Sequence, residues 1–415
     1  MFAVVWTFWI APILVVATLG AIASFIGGYL FFVTKKQYPS RKQRKLMQLE
    51  ARQELKAVAE SPVIDWGLAR KIAAKVERNK PQLSTEDRAK MNADFEEFTE
   101  LAEGLVAKET GLVSVAGAAR GRVAERSDWV DANLASFQRI LRPMLIKMEQ
   151  EMGSGPLSMV SPKVAGVELG MMLGWMSTRV LGQYDLMVIE DEEPEEQDIV
   201  YYVGPNVKAL EERFAFPERD FRLWLALHEV THRAQFTGVP WMREHFLSLV
   251  ESTLEESDSD PQRFIEGLKR AREVKKAGES PLDEGGLSAV FATDKQRETL
   301  GRIGGLMSLL EGHGDITMDR AGEGYVQNAP RFGRVLHARR QNNNNIVSFI
   351  QRLAGLEAKM KQYAQGEAFI EAVEEHGGRE LMDRVWEGPE LLPILTEIRE
   401  PDLWIERVDE TEKVA

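Results

Sequence analysis

The sequence contains no cysteine, and only six of its 415 residues are histidine. The absence of thiols excludes disulfide bonds, a cysteine nucleophile, an iron–sulfur cluster and every cysteine-liganded zinc site. A metal ion bound by this chain must therefore use histidine and carboxylate ligands. Acidic residues outnumber basic ones, 65 to 52, so we expect no nucleic-acid partner.

Charged residues are also absent from residues 2–33, which are mostly apolar. About 20 apolar residues cross the hydrocarbon core of a bilayer, so this stretch predicts a single transmembrane helix that forms an anchor over residues 1–34. The alternative is a cleaved signal peptide, which would have basic residues before a shorter apolar run. Here six basic residues follow the run, within residues 35–45, and the first acidic residue after it is Glu50.

The basic residues 35–45 also predict the orientation of the chain. The positive-inside rule places them, and everything after them, on the cytoplasmic side of the cell membrane, as the soluble part of a single-pass protein. They suit anionic lipid headgroups, whereas the chain without them carries a net charge of −19. We interpret residues 35–61 as a basic juxtamembrane stalk.

Helical periodicity dominates residues 62–405, for which we predict a mainly α fold with a small β-sheet, followed by a tail at 406–415. Strand patterns occur only in residues 184–190 and 198–203, which flank an acidic loop. The second strand is expected to form a sheet edge that accepts an extended peptide. Residues 111–122 are rich in glycine and alanine, so they are interpreted as a break between helices.

The candidate chemistry lies in residues 228–232, His-Glu-Val-Thr-His. On a helix, His228 and His232 share one face a turn apart, where neutral imidazoles can bind one metal ion. Glu229 lies about 100° round the helix, beside the ion, where a base for a metal-bound water is needed. A chance match is the alternative, because the motif fixes only three letters.

The helix that carries this motif is expected to be buried. Pro217 favours its start and Gly238 its end, and the run Phe-Arg-Leu-Trp-Leu-Ala-Leu before His228 is apolar almost all the way round. Burying two imidazoles and a carboxylate without partners costs several kcal/mol. A metal ion removes that cost, so the context favours a metal site over chance.

A catalytic zinc ion needs a third protein ligand and an open fourth position. We favour Glu311 as that ligand, with Asp315 one turn later as the hydrogen-bond acceptor for a ligand histidine. Glu251, at the edge of an apolar helix face, and His313, which points almost opposite to Glu311, are the alternative ligands. The four glycines within residues 304–314 predict that another backbone packs closely against this helix.

Several blocks of the sequence resemble the zincin-like metallopeptidase family, found chiefly in actinobacteria, some members of which are associated with deazaflavin coenzyme biosynthesis. These blocks are VIDWGLA (63–69), WVDANLASFQRIL (129–141), VLGQYDL (180–186), VGPN (203–206), LWLALHEVTHRAQF (223–236), VPW (239–241) and LEGHGDITMDRAG (310–322). The resemblance implies a zincin-like fold over about residues 62–405, a Zn²⁺ cofactor and a zinc-dependent hydrolase. The spacing of four positions between Glu311 and Asp315 is similar to that on the glutamate helix of thermolysin-type zincins. The spacing between His232 and Glu251 is instead similar to that between the second histidine and the glutamate ligand of the zinc aminopeptidases.

The expected activity is that of a membrane-anchored metallopeptidase acting on a peptide or protein. Zinc would lower the pKa of a bound water, and Glu229 would take its proton and pass it to the leaving amine. Two other functions stay open at this point. One is a membrane-anchored zinc-containing binding or scaffold protein without turnover, and the other is a hydrolase of a non-peptide amide.

Overall fold

A computed structural model of the chain describes residues 63–77, 80–152, 156–184, 198–255, 294–341 and 356–414. The predicted transmembrane anchor at residues 1–34 and the stalk at 35–61 lie outside these ranges, so both stay predictions. Within the described ranges, no helix combines the length and the apolar character that crossing a bilayer requires.

The part of the domain before the motif helix begins with helices. Its elements are α1 (Trp66–Glu77), α2 (Thr85–Thr110), β1 (Arg120–Ala124), α3 (Arg126–Met152) and α4 (Pro156–Ser177). Ser84 caps α2 by accepting a hydrogen bond from the Asp87 N–H, and Gly111 ends the helix with a φ of 71°. The predicted break between helices at residues 111–122 is confirmed, and its last residues belong to β1.

The small sheet contains β1, β2 (Gly182–Tyr184) and β3 (Ile199–Val203), in the order β1-β3-β2. Strand β3 pairs in parallel with β1 and antiparallel with β2. Our expectation that residues 198–203 form a sheet edge is therefore wrong. The reason is β1, which the sequence pattern did not indicate and which occupies the other side of β3.

The second part of the domain is helical. Its elements are α5 (Gly204–Phe214), α6 (Glu218–Thr237), α7 (Met242–Glu255), α8 (Asp294–Ala321), α9 (Ala329–Gln341), α10 (Leu356–Asp383), the 3₁₀ turns Arg384–Trp386 and Pro389–Leu391, α11 (Leu395–Arg399) and α12 (Pro401–Val414). Helix α12 crosses the boundary predicted between residues 405 and 406, and Val408 is buried within it. These bounds bear out the predicted fold class, mainly α with a small sheet.

Helix α6, which carries the His-Glu-Val-Thr-His motif, lies at the centre of the domain. It packs against α2, α8 and β2, and every residue from Phe221 to Gln235 is buried. It begins after Pro217 and ends before Gly238, as predicted. Buried Arg222 fixes it to its neighbours, because the guanidinium binds Glu211 of α5 at 2.8 Å and Asp94 of α2 at 2.5 Å.

Helix α8 confirms that glycines permit close backbone packing. Gly305 lies against the backbone of Ile394 before α11, and Gly312 lies against the backbone of Gly366 in α10. Gly314 instead faces α6, where a methyl group would come within 3.3 Å of the imidazole rings of His228 and His232. The glycines thus let α8 approach both the C-terminal helices and the motif helix.

Candidate metal centre

Three buried side chains from α6 and α8 converge on one point. The Nε2 atoms of His228 and His232 are 2.9 Å apart with their ring planes at 89°, and Oε1 of Glu311 lies 3.9 Å from Nε2 of His232. One ligand atom of each residue lies within 4.8 Å of the others. Ligands about 2.0–2.1 Å from a tetrahedral zinc ion are separated by roughly 3.3 Å, so the three positions suit such an ion.

The protonation of the imidazoles also suits a metal ion. Burial lowers the pKa of His232 to about 4, so its imidazole is neutral at physiological pH, which is the form that binds metals. His228 and Glu311 are 1% and 0% exposed. Two imidazoles and one carboxylate, held away from solvent, are the donor set that zinc takes in catalytic sites.

Glu229 lies beside this group and is itself buried. Burial raises the pKa of its carboxyl group to about 8, partly opposed by the backbone N–H of Tyr184. Apart from this weak approach of the Tyr184 N–H, neither carboxyl oxygen makes a hydrogen bond of good geometry within the described ranges. A buried carboxyl group without strong partners is costly as a structural element, so its position favours a chemical role.

Asp315 occupies the place predicted for a partner of a ligand histidine. Its Oδ1 lies 3.9 Å from Nδ1 of His228, on the opposite side of the ring from Nε2. The distance is too long for a direct hydrogen bond. Asp315 follows Glu311 by one turn of α8, so one helix presents both carboxylates to the two histidines.

Neither of the two alternative ligands belongs to this group of three residues. Glu251 is exposed on α7, outside the cluster. His313 is close to the cluster, but its Nδ1 lies 3.0 Å from Nε2 of Gln235, and its ring meets Trp386 edge-on at 5.0 Å. The turn of α8 between Glu311 and His313 accounts for this, because residues two apart point to nearly opposite sides of a helix.

Two residues of the site were missed by the sequence analysis. Gln235 connects His232 to α8 through its side-chain amide, at 2.9 Å from Nδ1 of His232 and 2.9 Å from the carbonyl oxygen of Leu310. Gly182 of β2 leaves the space that the Glu229 side chain fills. Gln235 had a usable signal, since it is a polar residue three positions after His232 on the same face of an apolar helix. Gly182 had no comparable signal.

Comparison with known proteins identifies the family. A family model described as zincin-like metallopeptidase matches residues 64–405. The chain belongs to the zincin-like metallopeptidase family. This zincin-like chain is also 31% identical to a protein from Chloroflexus aurantiacus whose crystal structure was described as a proposed hydrolase with a novel fold. The TM-score is 0.62, and the match covers 83% of this chain and 99% of that chain.

A search among curated proteins found no match. Family membership confirms the resemblance seen in the sequence and, together with the group formed by His228, His232 and Glu311, the expectation of zinc as cofactor. The family and the similar crystal structure both support a hydrolase.

Proposed function

We propose that this zincin-like protein is a zinc-dependent peptidase that acts on a peptide or protein substrate. In this proposal His228, His232 and Glu311 hold the ion and Glu229 is the general base. The observation that carries the proposal is the convergence of three buried ligand atoms within 4.8 Å of one another. The buried carboxyl group of Glu229, the residue after His228, lies beside them. Bound zinc would supply Lewis-acid activation of water and of the scissile carbonyl group.

The part of Glu229 in this reaction is proton transfer. One carboxylate oxygen takes a proton from the attacking water, and the same carboxyl group donates it to the leaving nitrogen. Burial alone raises the pKa of this carboxyl group to about 8, and a zinc ion beside it would lower that pKa and favour the carboxylate form that accepts a proton. Asp315, which lies on the Nδ1 side of the His228 ring, would orient that ring.

Substitution of Glu229, the proposed general base, tests whether the protein catalyses hydrolysis. Glu229→Gln keeps the shape of the side chain but cannot take a proton, so we expect kcat/KM for peptide cleavage to fall by about 10²–10⁴-fold with zinc content and fold unchanged. Glu251→Gln, on the exposed face of α7, is the matched control and should cleave normally. Equal, measurable cleavage by wild type and Glu229→Gln would contradict Glu229 as the general base, and absence of cleavage by the zinc-loaded wild type would contradict the peptidase proposal and favour a zinc-containing scaffold.

The choice of substrate needs its own measurement. A library of peptides and a panel of simple amides, offered to the same zinc-loaded protein, separate a peptidase from a hydrolase of non-peptide amides. We expect cleavage of peptides. Turnover of amides alone would reject the peptide substrate while leaving the hydrolytic centre in place.

Membrane attachment is a separate proposal that rests on the sequence. Residues 2–33 would form the anchor, residues 35–45 would contact anionic lipid headgroups, and the zincin-like domain would lie on the cytoplasmic side. A fluorescent protein fused after Ala415 tests the orientation. Fluorescence on the outer side of the membrane alone would contradict it, and release of the full chain into the soluble fraction would contradict the anchor.

A further inference from the structure

We propose that Gln235 is a positioning residue of the metal centre, which sets the tautomer of His232 and fixes α6 against α8 at the level of the ligands. The inference rests on the proposed function in one respect, namely that the centre binds zinc. Gln235 is 0% exposed and lies three residues after His232 on α6.

The orientation of the Gln235 side-chain amide follows from its contact with α8. Nε2 lies 2.9 Å from the carbonyl oxygen of Leu310. A carbonyl oxygen only accepts hydrogen bonds, so the amide atom facing it must be the nitrogen, which donates. The amide oxygen Oε1 is thereby turned towards His232, at 2.9 Å from its Nδ1.

This orientation determines which nitrogen of His232 carries the proton. Oε1 of Gln235 can only accept, so Nδ1 of His232 must donate and carries the hydrogen. A neutral imidazole has one N–H, so Nε2 keeps its lone pair. Nε2 is the atom that lies 2.9 Å from Nε2 of His228 and 3.9 Å from Oε1 of Glu311. A ligand histidine needs this tautomer, and an acceptor on its other nitrogen makes it a stronger ligand.

The same amide also holds the third candidate ligand in place. Leu310, whose carbonyl group accepts from Gln235, directly precedes Glu311 in α8. The amide nitrogen also lies 3.0 Å from Nδ1 of His313, which accepts its remaining hydrogen. One side chain therefore joins a histidine ligand of α6 to the backbone beside the carboxylate ligand of α8, although the two helices are far apart in the sequence.

A purely structural role for Gln235 makes a different prediction. In that case loss of the amide would lower the free energy of unfolding, because the carbonyl of Leu310 would lose its side-chain donor, but the folded protein would bind zinc as before. A positioning role predicts weaker zinc binding by protein that is still folded, because Nδ1 of His232 loses its acceptor. The decisive quantity is therefore zinc affinity and not stability.

The test compares Gln235→Met with Thr231→Val. Methionine has a similar length but cannot make any of the three hydrogen bonds of the Gln235 amide. Thr231→Val removes a buried hydroxyl that donates to the Leu227 carbonyl within the same helix at 2.7 Å. Zinc affinity is measured on the full-length protein by competition with a chromophoric chelator at constant pH. We expect Gln235→Met to bind zinc about 10–100-fold more weakly and Thr231→Val to match the wild type.

The outcomes separate the two proposals. Equal zinc affinity in wild type and folded Gln235→Met would overturn the positioning role and leave the zinc site intact. A wild-type protein that binds no zinc would overturn the proposed function and the role of Gln235 together. Nitrogen NMR of the folded wild type, labelled with ¹⁵N-histidine, decides the tautomer even if Gln235→Met fails to fold. We expect the hydrogen of His232 on Nδ1, and a hydrogen on Nε2 would overturn the proposal.

Discussion

Gly182 of β2 lies directly against the carboxyl group of Glu229. A methyl group at residue 182 would come within 2.6 Å of both Cγ and Oε1 of Glu229. The backbone of β2 cannot easily move, because Gly182 pairs with Tyr202 of the central strand. Helix α6, which carries Glu229, cannot easily move either, because it is buried along most of its length. The edge of the sheet thus defines where the candidate base can lie.

Gly182→Ala should therefore displace the carboxyl group of Glu229 without removing it. A misplacement of about 1 Å costs roughly 10²-fold in rate, so we expect kcat/KM for peptide cleavage to fall by about that factor while zinc content stays at the wild-type level. Gly104→Ala is the matched control, because nothing lies within 4 Å of a methyl group at that position of α2. Wild-type kinetics in Gly182→Ala would show that the contact does not position the base.

The third zinc ligand is tested by elemental analysis of two variants. Glu311 is 0% exposed and lies 3.9 Å from Nε2 of His232, so we expect Glu311→Ala to lose most of its zinc because only the two histidines remain. Glu251→Ala should keep the wild-type stoichiometry, since Glu251 is exposed on α7. If both variants keep full zinc, neither glutamate is a ligand.

The helices that build the site could be predicted from the sequence to within a few residues. Helix α6 could be predicted because Pro217 and Gly238 mark its ends. Its apolar residues also continue round the whole helix, which is typical of a buried helix. Glu311 and Asp315 could be proposed because a separation of four places both on one face of a helix. In each case the information is local in the sequence.

Strand β1 could not be predicted, because the sequence of Arg120–Ala124 has no strand pattern of its own. It becomes a strand through contacts with distant residues. It pairs with β3, and Gly121 fits against Thr99 and the ring of Tyr202, where a larger residue would clash. Gly182 was missed for the same reason, since its contact with Glu229 joins segments that are 47 positions apart.

Asn206 of the Val-Gly-Pro-Asn block is expected to be important for stability. Its side chain accepts a hydrogen bond from buried Arg126 at 2.8 Å and donates to the carbonyl oxygens of Ser177 and Val180 at 2.7 and 2.6 Å. Asn206→Ala leaves these buried groups without their partner, so we expect the free energy of unfolding to fall by about 2–4 kcal/mol.

Urea unfolding followed by circular dichroism measures this loss. Asn328→Ala is the control, because Asn328 is half-buried and donates one hydrogen bond to Asp220, so removal should cost about 0.5–1.5 kcal/mol. Equal losses in the two variants would mean that Asn206 does not act as a junction between α3, α4 and α5.

The crossing of α8 and α10 should tolerate no side chain at Gly366. A methyl group there would overlap the carbonyl oxygen of Ser308 and come within 2.8 Å of its carbonyl carbon. Gly366→Ala must therefore push the helices apart, and we expect a loss of about 1–3 kcal/mol in the free energy of unfolding. Gly301→Ala on α8 is the matched control, because nothing lies within 4 Å of a methyl group at residue 301.

Gly301→Ala should raise the free energy of unfolding by about 0.5–1 kcal/mol, since alanine favours the helix over the unfolded chain. The two substitutions add the same methyl group. Changes of opposite sign in the free energy of unfolding, measured with urea, would therefore isolate the effect of the helix crossing. Ser308 precedes Glu311 by less than one turn of α8, so displacement of this helix should also weaken zinc binding in Gly366→Ala. A stabilised Gly366→Ala variant with wild-type zinc affinity would contradict the close approach of the two helices.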